Sequence, residues 1–179
     1  KNIDRVIPSF VQHPGDKVYL VGQTRDDYAG SELQKMMTGD ISGIVKSFDL
    51  HHVHQYMQRL LTTMENGLVS SAHDLSEGGL GVALAETVFK TDLGLKIDLA
   101  DQPATRLFSE TPGRFIVTVA PEKATEFEQV LGKDAHLIGE VTNSHWLMVK
   151  LANGKLNESV AKLQKTWEEA IPCQLKSKD

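Results

Sequence analysis

The chain predicts an α+β fold, three layers α/β/α built on a mixed sheet, and three observations carry that reading. Apolar residues recur at helical spacing in some stretches and at period two in others, the two kinds of stretch are interleaved, and no repeat or Pro/Ser-rich linker divides them. One domain over residues 1–179 is expected, with residues 1–16 as an inter-domain lead-in, because this length suits a single core. A 40% hydrophobic fraction with 24% charged residues belongs to a folded globular chain, not to a disordered tail.

In chain order, His13-Pro14-Gly15-Asp16 reads as a turn, and the β-branched and aromatic run Val18-Tyr19-Leu20-Val21-Gly22 as a buried strand. Asp49 is placed to cap a helix whose apolar residues Leu50, Val53, Met57, Leu60, Leu61 and Met64 share a face, with Gly67 just past its end. Leu68-Val69-Ser70-Ser71 predicts a strand running into His73-Asp74. Gly78 and Gly79 then precede a helix with Leu80, Ala83, Leu84 and Val88 on one side. Leu95, Ile97 and Leu99 alternate with Lys96 and Asp98, the period of a strand with one face in the core. Phe115 to Val119 predicts another strand. Pro121 suits the first turn of a helix through Leu131, where its missing N–H has no intrahelical partner. Strands follow at His136 to Val141 and Trp146 to Leu151, then an Asn153-Gly154 turn. The last helix is capped by Asn157, carries Val160, Leu163, Trp167 and Ile171, and stops at Pro172.

Charge and composition exclude some functions. A net charge of −5 opposes the phosphate attraction behind nucleic-acid binding. No apolar run approaches the roughly 20 residues that span a bilayer, and Lys1-Asn2-Ile3-Asp4-Arg5 does not resemble a secretion signal, so a cytoplasmic protein that engages no membrane is expected. That also removes meaning from the glycosylation triplet Asn157-Glu158-Ser159. The single Cys173 cannot form an internal disulfide and reads as a spectator thiol.

Three segments have the residue types for binding. Ser71 to Gly81 passes from a strand end to a helix start, where unpaired N–H groups and the helix dipole favour an anion and Gly78 and Gly79 let a phosphate approach. Asp74 and Glu77 would repel that phosphate unless a metal or donors intervene; alternatively Asp74 or Ser76 only caps the helix while the glycines permit close packing. In Leu107 to Arg114, Pro112-Gly113 suits the centre of a type II turn, and Glu110 beside it either accepts hydrogen bonds from ligand hydroxyl or amine groups, pairs with Arg114, or meets water. Tyr28-Ala29-Gly30-Ser31-Glu32 is explained by turn and cap chemistry. His51 and His54 could share a helix face, but two imidazoles without a third ligand nearby read as solvent-exposed, so neither a metal site nor a catalytic residue is assigned. The binding candidates are Asp74, Ser76, Gly78, Gly79 and Glu110.

Taken together, Gly30-Ser31, His73-Asp74-Leu75-Ser76-Glu77-Gly78-Gly79-Leu80 and Leu107-Phe108-Ser109-Glu110 resemble the C-terminal domain of the aminoimidazole ribonucleotide (AIR) synthetase superfamily. The His-Asp-x-Ser-Glu-Gly-Gly-Leu form, the Leu-Phe-x-Glu that follows it and the closing segment from Trp167 to Lys178 with Ile171-Pro172-Cys173 resemble, within it, the second such domain of the phosphoribosylformylglycinamidine synthase family. That resemblance implies an AIR synthetase C-terminal-like fold in the fourth part of an ATP- and magnesium-dependent purine-biosynthesis ligase. Such a ligase phosphorylates the formyl amide oxygen of formylglycinamide ribonucleotide and displaces the phosphate with glutamine-derived ammonia. It further implies that the catalytic histidine and the main ATP and metal ligands lie in the N-terminal-type domains, the partners of this one. The ending Lys176-Ser177-Lys178-Asp179 points to the small bacterial form, which works with a glutaminase subunit and a small bridging subunit.

One departure bears on the role. Where the substrate-binding domain of such enzymes reads Ser-Glu-Ser-Gln-Glu-Arg, this chain has Ser109-Glu110-Thr111-Pro112-Gly113-Arg114. Without the glutamine contact, the resemblance implies a pseudo-symmetric half that stabilises the assembly or lines an auxiliary nucleotide site, inactive by itself. The competing expectation is a free-standing phosphate- or nucleotide-binding interaction module of the same superfamily.

Overall fold

The computed structural model describes residues 6–176; the stretches Lys1 to Arg5 and Ser177 to Asp179, and the expectations placed on them, lie outside the described residues. In order along the chain come β1 (Lys17–Val21), α1 (Glu32–Thr38), α2 (Leu50–Glu65), β2 (Ser71–Asp74), α3 (Gly79–Glu86) and β3 (Gly94–Leu99). Then follow β4 (Phe115–Val119), α4 (Ala124–Leu131), β5 (Ala135–Thr142), β6 (Trp146–Leu151), β7 (Gly154–Ser159) and α5 (Val160–Lys176).

The strands form one sheet in the order β2-β4-β1-β5-β3-β6-β7. β3 and β6 run parallel while the other neighbouring pairs run antiparallel, so the sheet is mixed, as predicted. Alternation along the strands separates two apolar layers. Val18, Leu20, Leu95, Ile97, Ile116, Leu147 and Val149 face α3 and α5, meeting Leu80, Leu84 and Val160. Tyr19, Val21, Val117 and Val119 face the other way, against Tyr56 and Leu60 of α2 and Phe127 and Leu131 of α4. The three-layer arrangement follows. Among the described residues, no helix is long and apolar enough to cross a membrane.

Three local expectations are corrected, and one helix is added. Strand pairing begins at Ser71, not Leu68, although Leu68 and Val69 are buried: burial alone makes an apolar run look like a strand. Asn157 does not cap the last helix but lies in the unpredicted β7, opposite Met148, because the Asn153-Gly154 turn folds a hairpin onto β6; the Ser159 hydroxyl instead accepts the Lys162 N–H at 3.2 Å. α5 runs through Pro172 to Lys176, since one forfeited hydrogen bond does not dissolve a helix held by the turns before it. α1 is an additional helix: Leu33, Met36 and Met37 stand at i, i+3 and i+4, but the helix has only seven residues and buries none of them. Asp49 does cap α2, accepting from the His52 N–H at 3.0 Å, and Ser31 caps α1, accepting from Gln34 N–H.

Candidate functional site

The junction between β2 and α3 lies at the sheet edge, where β2 pairs with β4. The Leu75 N–H donates to Arg114 O at 2.9 Å, extending the contact beyond the strand. The backbone then turns through Gly78 (φ 76°) and Gly79 (φ 62°), both in the left-handed region that only glycine enters cheaply. Gly79 is needed for a second reason: a Cβ there would run into the carbonyl oxygens of Ser109 and Leu107. The glycines therefore seat the helix start directly on the Leu107 to Arg114 segment.

Glu110 occupies the place an anion would take. Its Oε1 accepts from the Gly78 N–H at 2.8 Å and from the Glu32 N–H, at the start of α1, at 2.9 Å. A carboxylate that accepts two backbone N–H groups supplies the negative charge that helix starts favour, and supplies it from within the chain. The expectation that Glu110 pairs with Arg114 is corrected. So is a cap from Asp74 or Ser76: Gly78 itself is the N-cap, without a side-chain cap bond, and Ser76 Oγ donates to Asp74 Oδ2 at 3.0 Å on the exposed side of the loop. Thus Gly78, Gly79 and Glu110 come together, while Asp74 and Ser76 share the loop but not that contact.

Arg114, 1% exposed, holds the loop from beneath. Its guanidinium donates to Thr111 O at 2.9 Å, Thr24 Oγ1 at 3.0 Å and Ser109 O at 2.5 Å. Burial pushes its pKa down to about 10, and the nearby Asp27, Tyr56 and Glu110 oppose that fall. The Tyr56 hydroxyl donates to Gly113 O at 2.5 Å, and Gly113 at φ 79° fits the expected Pro112-Gly113 turn. Thr111 Oγ1 donates to Asp27 Oδ2 at 2.7 Å, and the Glu110 N–H to Asp27 O at 3.0 Å. The region after β1 and the loop before β4 are therefore stitched into one body. The sequence offers Arg114 only as a partner for Glu110 and gives no sign of Asp27, since a buried arginine serving its own loop leaves no periodic trace.

Elsewhere, His51 Nε2 lies 2.9 Å from the Gln55 amide nitrogen, and it is His52 that meets the buried Asp134, at 2.9 Å, beside Arg59. Among the described residues, no group of three His, Cys, Asp or Glu side chains is placed to hold a metal ion. A cleft of about 420 Å³, bounded by Asp101, Gln102, Arg106 and His136, borders the junction through Thr24, Leu80 and Leu107.

A family model described as "AIR synthase related protein, C-terminal domain" matches residues 13–150. The chain belongs to that family. Among its relatives is the phosphoribosylformylglycinamidine synthase subunit PurL of Limosilactobacillus reuteri, 96% identical over 179 residues, which are 100% of this chain and 24% of that protein. The chain thus spans about a quarter of the length of the curated relatives it matches. Two solved structures from Thermotoga maritima share the fold. PurL complexed with ATP is 25% identical with a TM-score of 0.72, covering 90% of this chain and 28% of that one. PurLQS is 22% identical with a TM-score of 0.72, covering 92% and 28%.

Proposed function

We propose that this chain is a domain of a phosphoribosylformylglycinamidine synthase, the ATP-dependent ligase that converts formylglycinamide ribonucleotide to its amidine in de novo purine biosynthesis, and that it contributes scaffold and interface instead of reacting groups. The parent activity is supported by the 96% identical relative, and the role of this part by one observation: Glu110 already fills the anion position at the start of α3. A phosphate entering there would have to displace a carboxylate that bridges two elements and would meet Asp74 and Glu77 on the way. A magnesium–phosphate site is not favoured either: magnesium is usually held by one or two carboxylates together with substrate phosphates, and Glu110 already takes the Gly78 N–H that such a phosphate would use. No step through the metal belongs to this domain; ATP and magnesium are held by the N-terminal-type domains of the same cytoplasmic enzyme.

On this reading residues 1–179 are one unit with residues 1–16 as lead-in, supported by a single sheet whose two faces each carry a core. The partners are those N-terminal domains, a glutaminase subunit that delivers ammonia, and a small bridging subunit; a related subunit solved as PurLQS supports a multi-subunit assembly. Assaying the isolated chain for phosphate release dependent on ATP and formylglycinamide ribonucleotide tests the reading, with no turnover expected and turnover near that of the whole subunit overturning it. Calorimetry with ADP and magnesium tests the alternative nucleotide-binding role, for which heat at millimolar ligand is required.

A further inference from the structure

We infer that the stretch from Lys35 to Leu50 is the seat of another domain of the same parent polypeptide, which covers it with an apolar protein surface. The inference rests on the reading above that the chain is part of a longer ligase subunit. Residues 35–50 are exposed without exception, yet they include Met36, Met37, Ile41, Ile44, Val45 and Leu50. The exposures of Met36 (83%), Ile44 (88%) and Val45 (75%) leave these side chains almost wholly in water. Single exposed apolar residues are ordinary, whereas several gathered in one continuously exposed segment mark a contact surface.

The run is not a loose tail, because hydrogen bonds tie it to the rest of the domain while its apolar side chains are left unused. Gln34 Nε2 donates to Ser42 Oγ at 3.2 Å, Arg25 Nη1 to Ser47 O at 2.7 Å, and Lys46 Nζ to Asp26 O at 2.8 Å. These bonds lay residues 42–47 over the region after β1, where Ile44 and Val45 border a small cavity with Arg25, Asp27 and Glu110. The surface therefore adjoins the Glu110 junction, to which the first N–H of α1 is also bonded.

Charge and length select the occupant. Between Met36 and Phe48 the charged residues are Asp40 and Lys46, which cancel, and Lys46 is turned to a backbone carbonyl of its own domain. A neutral face has no attraction for anionic lipid or nucleic acid, so a protein surface of apolar character fits it. The relatives are about four times as long as the segment they share with this chain, and the parts beyond it are tethered to it covalently at high effective concentration.

The test uses the full-length subunit carrying I44C or V45C, with K155C and K133C as controls on exposed positions of β7 and the turn after α4. Native maleimide labelling is followed by peptide mass spectrometry, which separates each introduced thiol from Cys173. The thiols at 44 and 45 are expected to react at least tenfold more slowly than the faster control, with the difference abolished in urea and unchanged by hundredfold dilution. Equal native rates overturn the inference, and protection lost on dilution overturns it in favour of a second copy as occupant. Labelling does not require turnover: an inactive subunit with protected thiols defeats only the ligase reading, and an active one with open thiols defeats only the docking surface.

Discussion

Glu110→Ala removes one acceptor from two backbone N–H groups, at 2.8 Å from Gly78 and 2.9 Å from Glu32. Hydrogen bonds to a charged partner are worth about 1.5–3 kcal/mol each, and the partial exposure of this carboxylate puts both at the low end because water replaces part of what is lost. The change is therefore expected to cost about 2–3 kcal/mol. Glu110→Gln keeps an acceptor oxygen and loses the charge, so about 1 kcal/mol is expected, the scale of a charge at a helix start. With a urea dependence of about 2 kcal/mol per molar, the unfolding midpoint at pH 7 falls by about 1–1.5 M for E110A and about 0.5 M for E110Q. An E110A midpoint equal to that of the unaltered chain, or an E110Q loss larger than that of E110A, would refute the view that this carboxylate is the resident anion of the junction.

Three further outcomes follow from the same geometry. Gly79→Ala places a methyl against the carbonyl oxygens of Ser109 and Leu107 at a left-handed φ, so a loss above about 3 kcal/mol or failure to fold is expected by circular dichroism; a native-like melt contradicts it. Arg114→Lys cannot reach Thr111 O, Thr24 Oγ1 and Ser109 O together, and its cost of about 3 kcal/mol should lower Tm by about 6–12 °C, whereas an unchanged Tm would show that the buried fork is dispensable. Burial holds the Asp16 carboxyl above its ordinary range, opposed chiefly by the Ser70 hydroxyl, and Asp16 Oδ2 has no hydrogen-bond partner among the described residues. An acid whose folded pKa is raised favours the fold below its unfolded pKa, and that advantage is lost as pH rises through the folded pKa. Asp16→Asn should therefore gain stability over the unaltered chain as pH climbs from the acid range to neutrality, measured by urea midpoints across that window; a pH-independent difference sinks the assignment.

Much of the architecture was legible because local chemistry and tertiary environment agreed. Leu95, Ile97 and Leu99 alternate in sequence and are buried together in the structure, and Asp49 caps α2 as expected, although the face that helix buries is Tyr56, Leu60 and Thr63 while Leu50, Met57 and Leu61 of the expected stripe stay exposed. Pro121 opens a short 3-10 turn ahead of α4, as an N–H-free first position should. The agreement failed where a pattern was produced by something other than its usual cause. Leu68 and Val69 are buried without joining the sheet, and Asn157, a good cap by type, was claimed by a hairpin whose strand has too little apolar alternation to announce itself. α1 carries no burial signal at all.

From the residues alone the chain determined most of its strand and helix repertoire, β7 and α1 excepted, its mixed sheet between helical layers, and a glycine-bearing strand-to-helix junction, because periodicity, capping and φ preference act over a few neighbouring residues. Only the tertiary structure decided what that junction is for. Glu110 lies 32 residues from Gly78 and 78 from Glu32, and a carboxylate that far along the chain reaches both N–H groups only after β4 has paired with β1 and β2. A local pattern can show that an anion would be welcome at a helix start; long-range packing determines whether the protein has already provided one.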